Sequence, residues 1–326
     1  MTPRSRLGLT LLGLVLVVSG CGGNQNVVAP ASHPEHEISN LFWVLLVASS
    51  IGFGIVVILL FLGWLRRTRE ELPGGVGEEG ATKLVIGLGV ALPIVLLSTL
   101  FVWADFFVMR STAAPAPGSS ALTIHVTGHD WWWEVSYDGT PVVTANEIHI
   151  PVDTRVTVVG NTGDVIHSFW VPELNRKIDL VPGYASRVLL TANKPGRYRG
   201  QCAEFCGLQH AHMAVLVVAQ PKAAFQRWLR ANARPARGKS PAAFARGGCD
   251  DCHTVRGTSA HGQVGPDLTH VASRLTLAAN TIPNTPADRA AWIRDPQHFK
   301  PGNRMPNLRL RQADWRAIDA YLRTLR

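Results

Sequence analysis

Residues 202–213 read Cys202-Ala203-Glu204-Phe205-Cys206-Gly207-Leu208-Gln209-His210-Ala211-His212-Met213. Two thiols, the His210 imidazole and a thioether fall within twelve residues. Thiolate and thioether sulfur combined with imidazole nitrogen selects copper among the biological metals. Two thiolates in one short loop can bridge two ions, each of which then needs one imidazole and one weak axial donor. A second imidazole is available upstream, in His167-Ser168-Phe169-Trp170-Val171-Pro172, at a predicted strand end. Met213 suits one axial place and a backbone carbonyl of the loop the other. The plainer alternative is a Cys202–Cys206 disulfide with His210 and Met213 as ordinary surface and core residues. The chain has only four Met, and one of them stands three residues after a His and seven after a Cys, which favours the metal reading.

A second cysteine pair lies in Cys249-Asp250-Asp251-Cys252-His253. This is the C-x-x-C-H pattern of covalent haem attachment, in which both thiols bond the porphyrin and the His takes one axial position on iron. A zinc half-site or a disulfide is the alternative. The other axial ligand must come from later in the chain. Met305, in Lys300-Pro301-Gly302-Asn303-Arg304-Met305-Pro306, is the one Met that follows. A Met among polar residues on a Pro/Gly loop suits a haem ligand better than a core position. His261, His270 and His298 are its rivals. His/Met ligation raises a haem potential.

Working outward, the 326 residues imply about two domains and carry a net charge of +9. From Lys239 onward thirteen Lys/Arg stand against seven Asp and no Glu. Such a basic segment suits an acidic protein or a membrane surface; no nucleic-acid motif accompanies it. Arg4 and Arg6 precede an apolar run ending Val18-Ser19-Gly20-Cys21, the outline of an export signal over residues 1–20. The ending resembles a bacterial lipobox, which implies lipidation of Cys21; an ordinary signal peptide or an uncleaved anchor is the alternative. Residues 41–65 and 84–108 are each apolar and long enough to cross a bilayer of about 30 Å. The loop between them carries Arg66, Arg67, Arg69 and Lys83, which places it in the cytoplasm and everything after residue 108 outside.

Residues 111–120 are rich in Ala, Pro and Ser and read as a linker. From 122 to 219 short alternating and β-branched runs (122–127, 151–159, 187–191, 213–218) punctuated by Gly predict a sandwich or barrel. Residues 221–240 read as a boundary segment containing a short amphipathic helix. Helical patterns at 242–246, 287–294 and 312–325 predict a small α domain over 241–326. Three consecutive tryptophans, Gly128-His129-Asp130-Trp131-Trp132-Trp133, lie in the β region. Alternate strand side chains point to opposite faces, so at least one of the three is expected to be exposed.

In combination, the 202–213 loop, the His167–Pro172 segment, the tryptophan run and the two-helix hairpin resemble cytochrome c oxidase subunit II over residues 40–220. Thioredoxin-like copper-delivery proteins also use Cys-x3-Cys, but their His follows far downstream. The resemblance implies a multi-domain chain: a two-helix transmembrane hairpin within residues 21–110, an all-β cupredoxin-like sandwich at 111–220, and a small all-α cytochrome c domain at 241–326. It implies the dinuclear copper centre CuA, bridged by Cys202 and Cys206. His167 and His210 would be terminal ligands, Met213 axial on one copper and the Glu204 carbonyl axial on the other. The Glu204 carboxylate would bind a magnesium ion shared with subunit I, supported by Asp179. A hard carboxylate oxygen suits Mg²⁺. Packing by Phe169, Trp170 and Phe205 would exclude water. Trp131 matches the family's electron-entry residue, and Trp132 stands where relatives usually carry Tyr. Relatives also carry a Glu seven residues before the mid-helix Pro; here that place is Ile86, which cannot carry a proton.

Gly265-Pro266-Asp267-Leu268 and Trp315-Arg316-Ala317-Ile318-Asp319-Ala320-Tyr321-Leu322 resemble class I cytochromes c, and the whole arrangement resembles caa-type oxidases. The implied function is electron relay. A cytochrome c or a quinol–cytochrome c reductase would reduce the haem c on Cys249 and Cys252, held by His253 and Met305. Electrons would pass to CuA and then to subunit I, where oxygen becomes water and protons are pumped. Subunit I and the other oxidase subunits are the implied partners, in a bacterial inner membrane with both cofactor domains on the outer side. A CuA-type nitric oxide reductase subunit and a free-standing tethered electron carrier are the alternatives.

Overall fold

The computed structural model describes residue 23, residues 25–66 and residues 77–326. The signal-like segment, Cys21, Arg67 and Arg69 lie outside the described residues. Two compact units are present: residues 36–113, and a unit joining residues up to 35 with residues 114–326.

The first unit holds helix α1 (His33–Arg66) and the helical run α2 (Glu78–Thr112), both long and apolar enough to cross a membrane. Each exceeds the apolar stretch expected from sequence, because polar turns at the ends also wind into helix. Lys83 Nζ, for example, pairs with Glu79 Oε1 one turn earlier at 2.6 Å. Helix α2 contains two wider π turns, Gly87–Ala91 and Ala104–Met109. Pro93 follows the first. Proline lacks an N–H and its ring collides with the carbonyl four residues back. That carbonyl belongs to Gly89, inside the wider turn.

The second unit contains a two-sheet sandwich. One sheet has the order β3-β2-β1-β5-β8: β1 (Leu122–His129), β2 (Trp132–Tyr137), β3 (Val143–Ala145), β5 (Val156–Thr162) and β8 (Ser186–Leu190). The other has the order β4-β10-β9-β6-β7: β4 (Glu147–Pro151), β6 (His167–Trp170), β7 (Ile178–Leu180), β9 (Gly196–Cys202) and β10 (Ala214–Gln220). Alternation places Ile124, Val126, Val156 and Val158 in the core between the sheets. The run expected over 151–159 is broken between β4 and β5, where Asp153 turns with φ of +50°; Asp tolerates that region better than most residues.

Two segments join the sandwich that the periodicity did not assign to it. Helix α3 (Lys222–Asn232) buries Phe225 in the sandwich core, and Trp228 stacks on His149 of β4 with ring centroids 4.0 Å apart. The boundary segment 221–240 therefore opens with a helix that belongs to the sandwich. Ahead of α1, Ala31 N donates to Glu173 O at 3.0 Å and Asn193 N to Ala31 O at 2.8 Å. This ties the chain before the first membrane-type helix to the β6–β7 and β8–β9 connections.

Residues 241–326 form a mainly helical cluster: α4 (Ala242–Arg246), α5 (Cys249–Cys252), α6 (Pro286–Arg294), α7 (Pro296–Phe299) and α8 (Gln312–Thr324), with a short ribbon β11 (Thr276–Leu277) and β12 (Ile282–Pro283). Its core contains Phe244, Val255, Ile293, Ile318, Tyr321 and Leu322. The α8 members fall at helical spacing, leaving Arg316 and Arg323 outside. Thr285 caps α6 by accepting the Asp288 N–H at 3.1 Å.

Because Phe225 is core to the sandwich rather than part of a free linker, Phe225→Ala is expected to destabilise it by about 3–5 kcal/mol. Denaturant unfolding followed by tryptophan fluorescence would show this as a lowered midpoint at unchanged slope.

Candidate metal centre

The site is built by strand register. Strand β6 pairs with β9 so that Phe169 faces Cys202, which carries His167, two residues earlier, over the start of the 203–213 connection. That connection joins β9 to β10. It is closed by Cys202 N donating to Met213 O at 2.9 Å and pinned to β6 by Ala203 N donating to Ser168 O at 2.9 Å. The sequence-predicted donors are thereby brought together. Cys202 Sγ and Cys206 Sγ are 3.7 Å apart. Cys202 Sγ lies 3.8 Å from His167 Nδ1 and 3.2 Å from the Glu204 carbonyl. Cys206 Sγ lies 3.6 Å from His210 Nδ1 and 3.8 Å from Met213 Sδ. Each sulfur thus has its own imidazole and its own weak donor.

These spacings fit metal binding. With nitrogen and sulfur bonds of about 2.0 and 2.3 Å, the values for zinc, a tetrahedral ion separates its donor atoms by about 3.5–3.8 Å. All four described cysteines are free thiols, so the disulfide readings of both pairs are not what the fold adopts. The Cys206 thiol donating to Cys202, helped by His167 and by backbone N–H groups, holds the Cys202 thiol well below the usual thiol range despite its burial. The same contact, together with burial, pushes the Cys206 thiol up. The pair gives up one proton easily and resists losing the second, because two buried thiolates so close together repel. Cations between them remove that penalty.

The outer face of His167 is fixed by Asp164, whose Oδ1 lies 2.9 Å from His167 Nε2. With the proton on Nε2 and donated to the carboxylate, Nδ1 keeps its lone pair for a metal. Asp164 escaped the sequence reading, although its place three residues before a candidate ligand was a usable signal. Gly128 makes room for the ring: a Cβ there would meet His167 Cδ2 at 2.6 Å. Met213 is fully buried and Phe169 nearly so.

Two expectations are corrected. Phe205 does not shield the site; it is 77% exposed, because the loop turns its side chain out of the sandwich. None of the three tryptophans is exposed. Trp133 lies in the core, Trp132 is buried on the other face and stacked on His129 at 4.5 Å, and Trp131, in the β1–β2 turn, is half-buried. The outer face of that turn is covered by residues of the haem domain: Lys300 Nζ donates to Trp131 O at 2.9 Å and Arg304 pairs with Asp130 at 2.7 Å. The Trp131 indole N–H donates to Cys206 O at 2.7 Å. Glu204 and Asp179 are exposed, and among the described residues Glu204 belongs to no group of three metal-ligating side chains.

At the second site, α5 carries Cys249 and Cys252, and His253 follows directly. His253 Nδ1 lies 2.7 Å from Pro266 O, so a proton on Nδ1 leaves Nε2 free to ligate iron. Burial pulls the His253 pKa down, keeping the ring neutral. Gly265 packs against it; a Cβ there would meet His253 Cε1 at 2.6 Å. Met305 is half-buried, with its N–H held by Asn303 Oδ1 at 2.8 Å and its carbonyl by Gln297 Nε2 at 2.8 Å. Of its rivals, His270 is tied to Arg234 O at 2.9 Å, while His261 and His298 are exposed. Among the described residues no group of three metal-ligating side chains forms around Cys249 and Cys252, which leaves the zinc reading without its remaining ligands.

Since Cys206 is the main cause of the depressed Cys202 thiol, Cys206→Ala is expected to raise it. Alkylation of Cys202 in the metal-free chain, followed by mass spectrometry, should persist to a lower pH in the parent than in the variant.

Residues 138–220 match the family described as cytochrome c oxidase subunit II, periplasmic domain, and residues 236–326 match cytochrome c. These matches point to copper and haem as the cofactors. The cytochrome c oxidase subunit 2 of Alkalihalophilus pseudofirmus is 32% identical over 337 residues, covering 98% of this chain and 96% of that one. That of Bacillus subtilis is 26% identical over 361 residues, covering 100% and 99%. The crystal structure of the periplasmic domain of subunit II of cytochrome oxidase from Bradyrhizobium japonicum is 29% identical, covers 37% of this chain and 96% of that chain, and has a TM-score of 0.35. Carrying an oxidase periplasmic domain followed by a cytochrome c domain, and matched along nearly its whole length, this chain belongs to the cytochrome c oxidase subunit 2 family.

Proposed function

We propose that this oxidase subunit collects electrons from a c-type cytochrome or a quinol–cytochrome c reductase and hands them to subunit I through a dinuclear CuA centre. The observation that carries this reading is the paired donor set: two sulfurs 3.7 Å apart, each with one imidazole and one weak donor of its own. When bound, the copper pair and the haem each take up and release one electron, and a pair sharing that electron needs little rearrangement. The chain's own part is to hold the donors rigidly. Cys202 and Cys206 would hold the copper pair between them, His167 and His210 would each supply one imidazole, and Met213 and the Glu204 carbonyl would supply the weak donors. Asp164 orients His167, and burial of Met213 and Phe169 keeps water out. The Glu204 carboxylate, exposed beside this loop, is the proposed contribution to a magnesium ion completed by subunit I.

Cys249 and Cys252 would attach haem c, and His253 and Met305 would supply the ligands to its iron. Trp131 is the proposed entry residue to the copper loop. Trp132, buried one residue on, is a lesser candidate. The proposed domain plan is a signal at 1–20 followed by a lipidated Cys21, a membrane hairpin within 21–110, the CuA domain at 111–220, a segment at 221–240 whose opening helix packs on that domain, and the haem domain at 241–326. The two apolar helices support a location in a bacterial inner membrane, with both cofactor domains on the outer side as the charge of the intervening loop implies. With Ile86 in the second helix, the chain offers no carboxylate there for proton uptake.

Metal analysis of the purified oxidase chain is expected to give two coppers per covalently bound haem iron, with a multi-line EPR hyperfine pattern from one electron shared by two copper nuclei. Cys202→Ser should abolish that signal and leave the haem spectrum intact; a parent signal from a single copper nucleus would reject the dinuclear reading. Met305→Ala is expected to keep the haem covalently attached while losing His/Met ligation and lowering the haem potential, as followed by redox titration of the optical spectrum.

A further inference from the structure

The haem domain meets the sandwich along a face whose residues are not explained by folding of either part. Lys300 is 3% exposed. Burying an ammonium group is expensive unless it is partnered, and nothing in the haem domain's own core requires one there. Its Nζ is aimed across the boundary at the Trp131 carbonyl, 2.9 Å away. One residue short of Met305, Arg304 Nη2 reaches Asp130 Oδ2 at 2.7 Å. Between them, the Pro301 carbonyl accepts from Gln209 Nε2 at 2.6 Å, and Gln209 directly precedes His210 in the copper loop. Gly302, at φ of +82°, lies so close to Leu208 that a Cβ would meet Leu208 Cδ1 at 2.9 Å. Four contacts therefore stitch the 300–305 loop to the β1–β2 turn and to the copper loop.

Trp131 is held from both sides. Its carbonyl is taken by the haem-domain loop, and its indole N–H by Cys206 O at 2.7 Å. A second set of bonds, away from Trp131, prevents rotation about that contact. Leu275 N donates to Glu147 Oε2 at 2.8 Å, Arg274 Nε to Thr144 Oγ1 at 3.2 Å, and Ala214 N to Ala279 O at 3.2 Å. Two separated anchor lines fix an orientation where one would leave a hinge.

We propose that Lys300 and Arg304 are positioning residues that latch the Met305 loop onto the turn carrying Trp131. This rests on the reading of Trp131 as the entry residue and of Met305 as the haem ligand. The latch sets the distance and orientation between the two loops, to which transfer is steeply sensitive. A neutral amine at position 300 still donates an N–H to the Trp131 carbonyl, so the latch does not depend on the charge of that residue. The Arg304 arm does depend on charge, and being partly exposed it is weakened by salt.

The test uses the whole oxidase complex and four variants: Lys300→Met, Arg304→Asp, Asp130→Arg, and the Asp130→Arg/Arg304→Asp swap. Hydrogen exchange is followed in peptides covering 128–134 and 299–306, and haem-to-copper transfer is timed after flash reduction of the haem. Lys300→Met should leave thermal stability at or above the parent value, because a buried ammonium is replaced by a side chain of similar volume, yet speed exchange in both peptides. Each single variant should slow transfer by about tenfold or more, and the swap should restore both readouts. Absent haem or copper spectra in the parent would sink the functional reading itself. Normal spectra with exchange and transfer unchanged in all four variants would overturn the latch alone.

Discussion

Two buried thiols confined to one loop repel once both ionise, and the metal region of this protein is organised around that conflict. Hydrogen bonding lets one of the pair shed its proton at acid pH while the other resists. A fold that needed only a pair of buried cysteines would form a disulfide or separate them. Here the β9–β10 connection keeps the sulfurs 3.7 Å apart and unbonded. It gives each a nitrogen on its outer side, which is a geometry that cations relieve. The β6–β9 register, the Ala203–Ser168 bond and the missing Cβ of Gly128 all serve to bring His167 to that pair without strain.

The same loop is the meeting point of the rest of the unit. Its Cys206 carbonyl holds Trp131, its Gln209 holds the haem-domain loop, and its Leu208 packs against Gly302. Placement of the haem domain is thus a property of the copper loop as much as of the connecting segment. Helix α3 strengthens this. By burying Phe225 in the sandwich and stacking Trp228 on His149, it shortens the free connection to a few residues. Arg256 then fastens the haem side to the end of α3 by donating to Asn232 O at 2.6 Å.

Exposed residues of the loop carry the complementary information. Phe205 and Leu208 are apolar and largely exposed, and Glu204 is exposed beside them. An apolar pair flanking a carboxylate next to a metal loop is poorly suited to water and well suited to a partner surface. Membership of an oxidase subunit family supplies that partner in the other oxidase subunits.

The copper donors were legible because their spacing is itself chemical: Cys-x3-Cys-x3-His-x2-Met within a hairpin loop leaves little other use for those side chains. Haem attachment was legible for the same reason, and the two apolar helices because bilayer thickness translates directly into residue count. What the sequence could not disclose depends on contacts between residues far apart in the chain. Asp164 becomes an orienting group only when β6 carries His167 beside it. Phe205, read as a shield, proves exposed because loop direction, not hydrophobicity, sets where a side chain points. The tryptophan run, in which alternation predicted an exposed member, is covered instead by Lys300 and Arg304, some 170 residues later in sequence. Local spacing determined which chemistry this chain carries, since ligand type and interval are covalent facts. Only the tertiary structure decided how the two sites face each other, because that rests on hydrogen bonds between segments whose proximity no periodicity records.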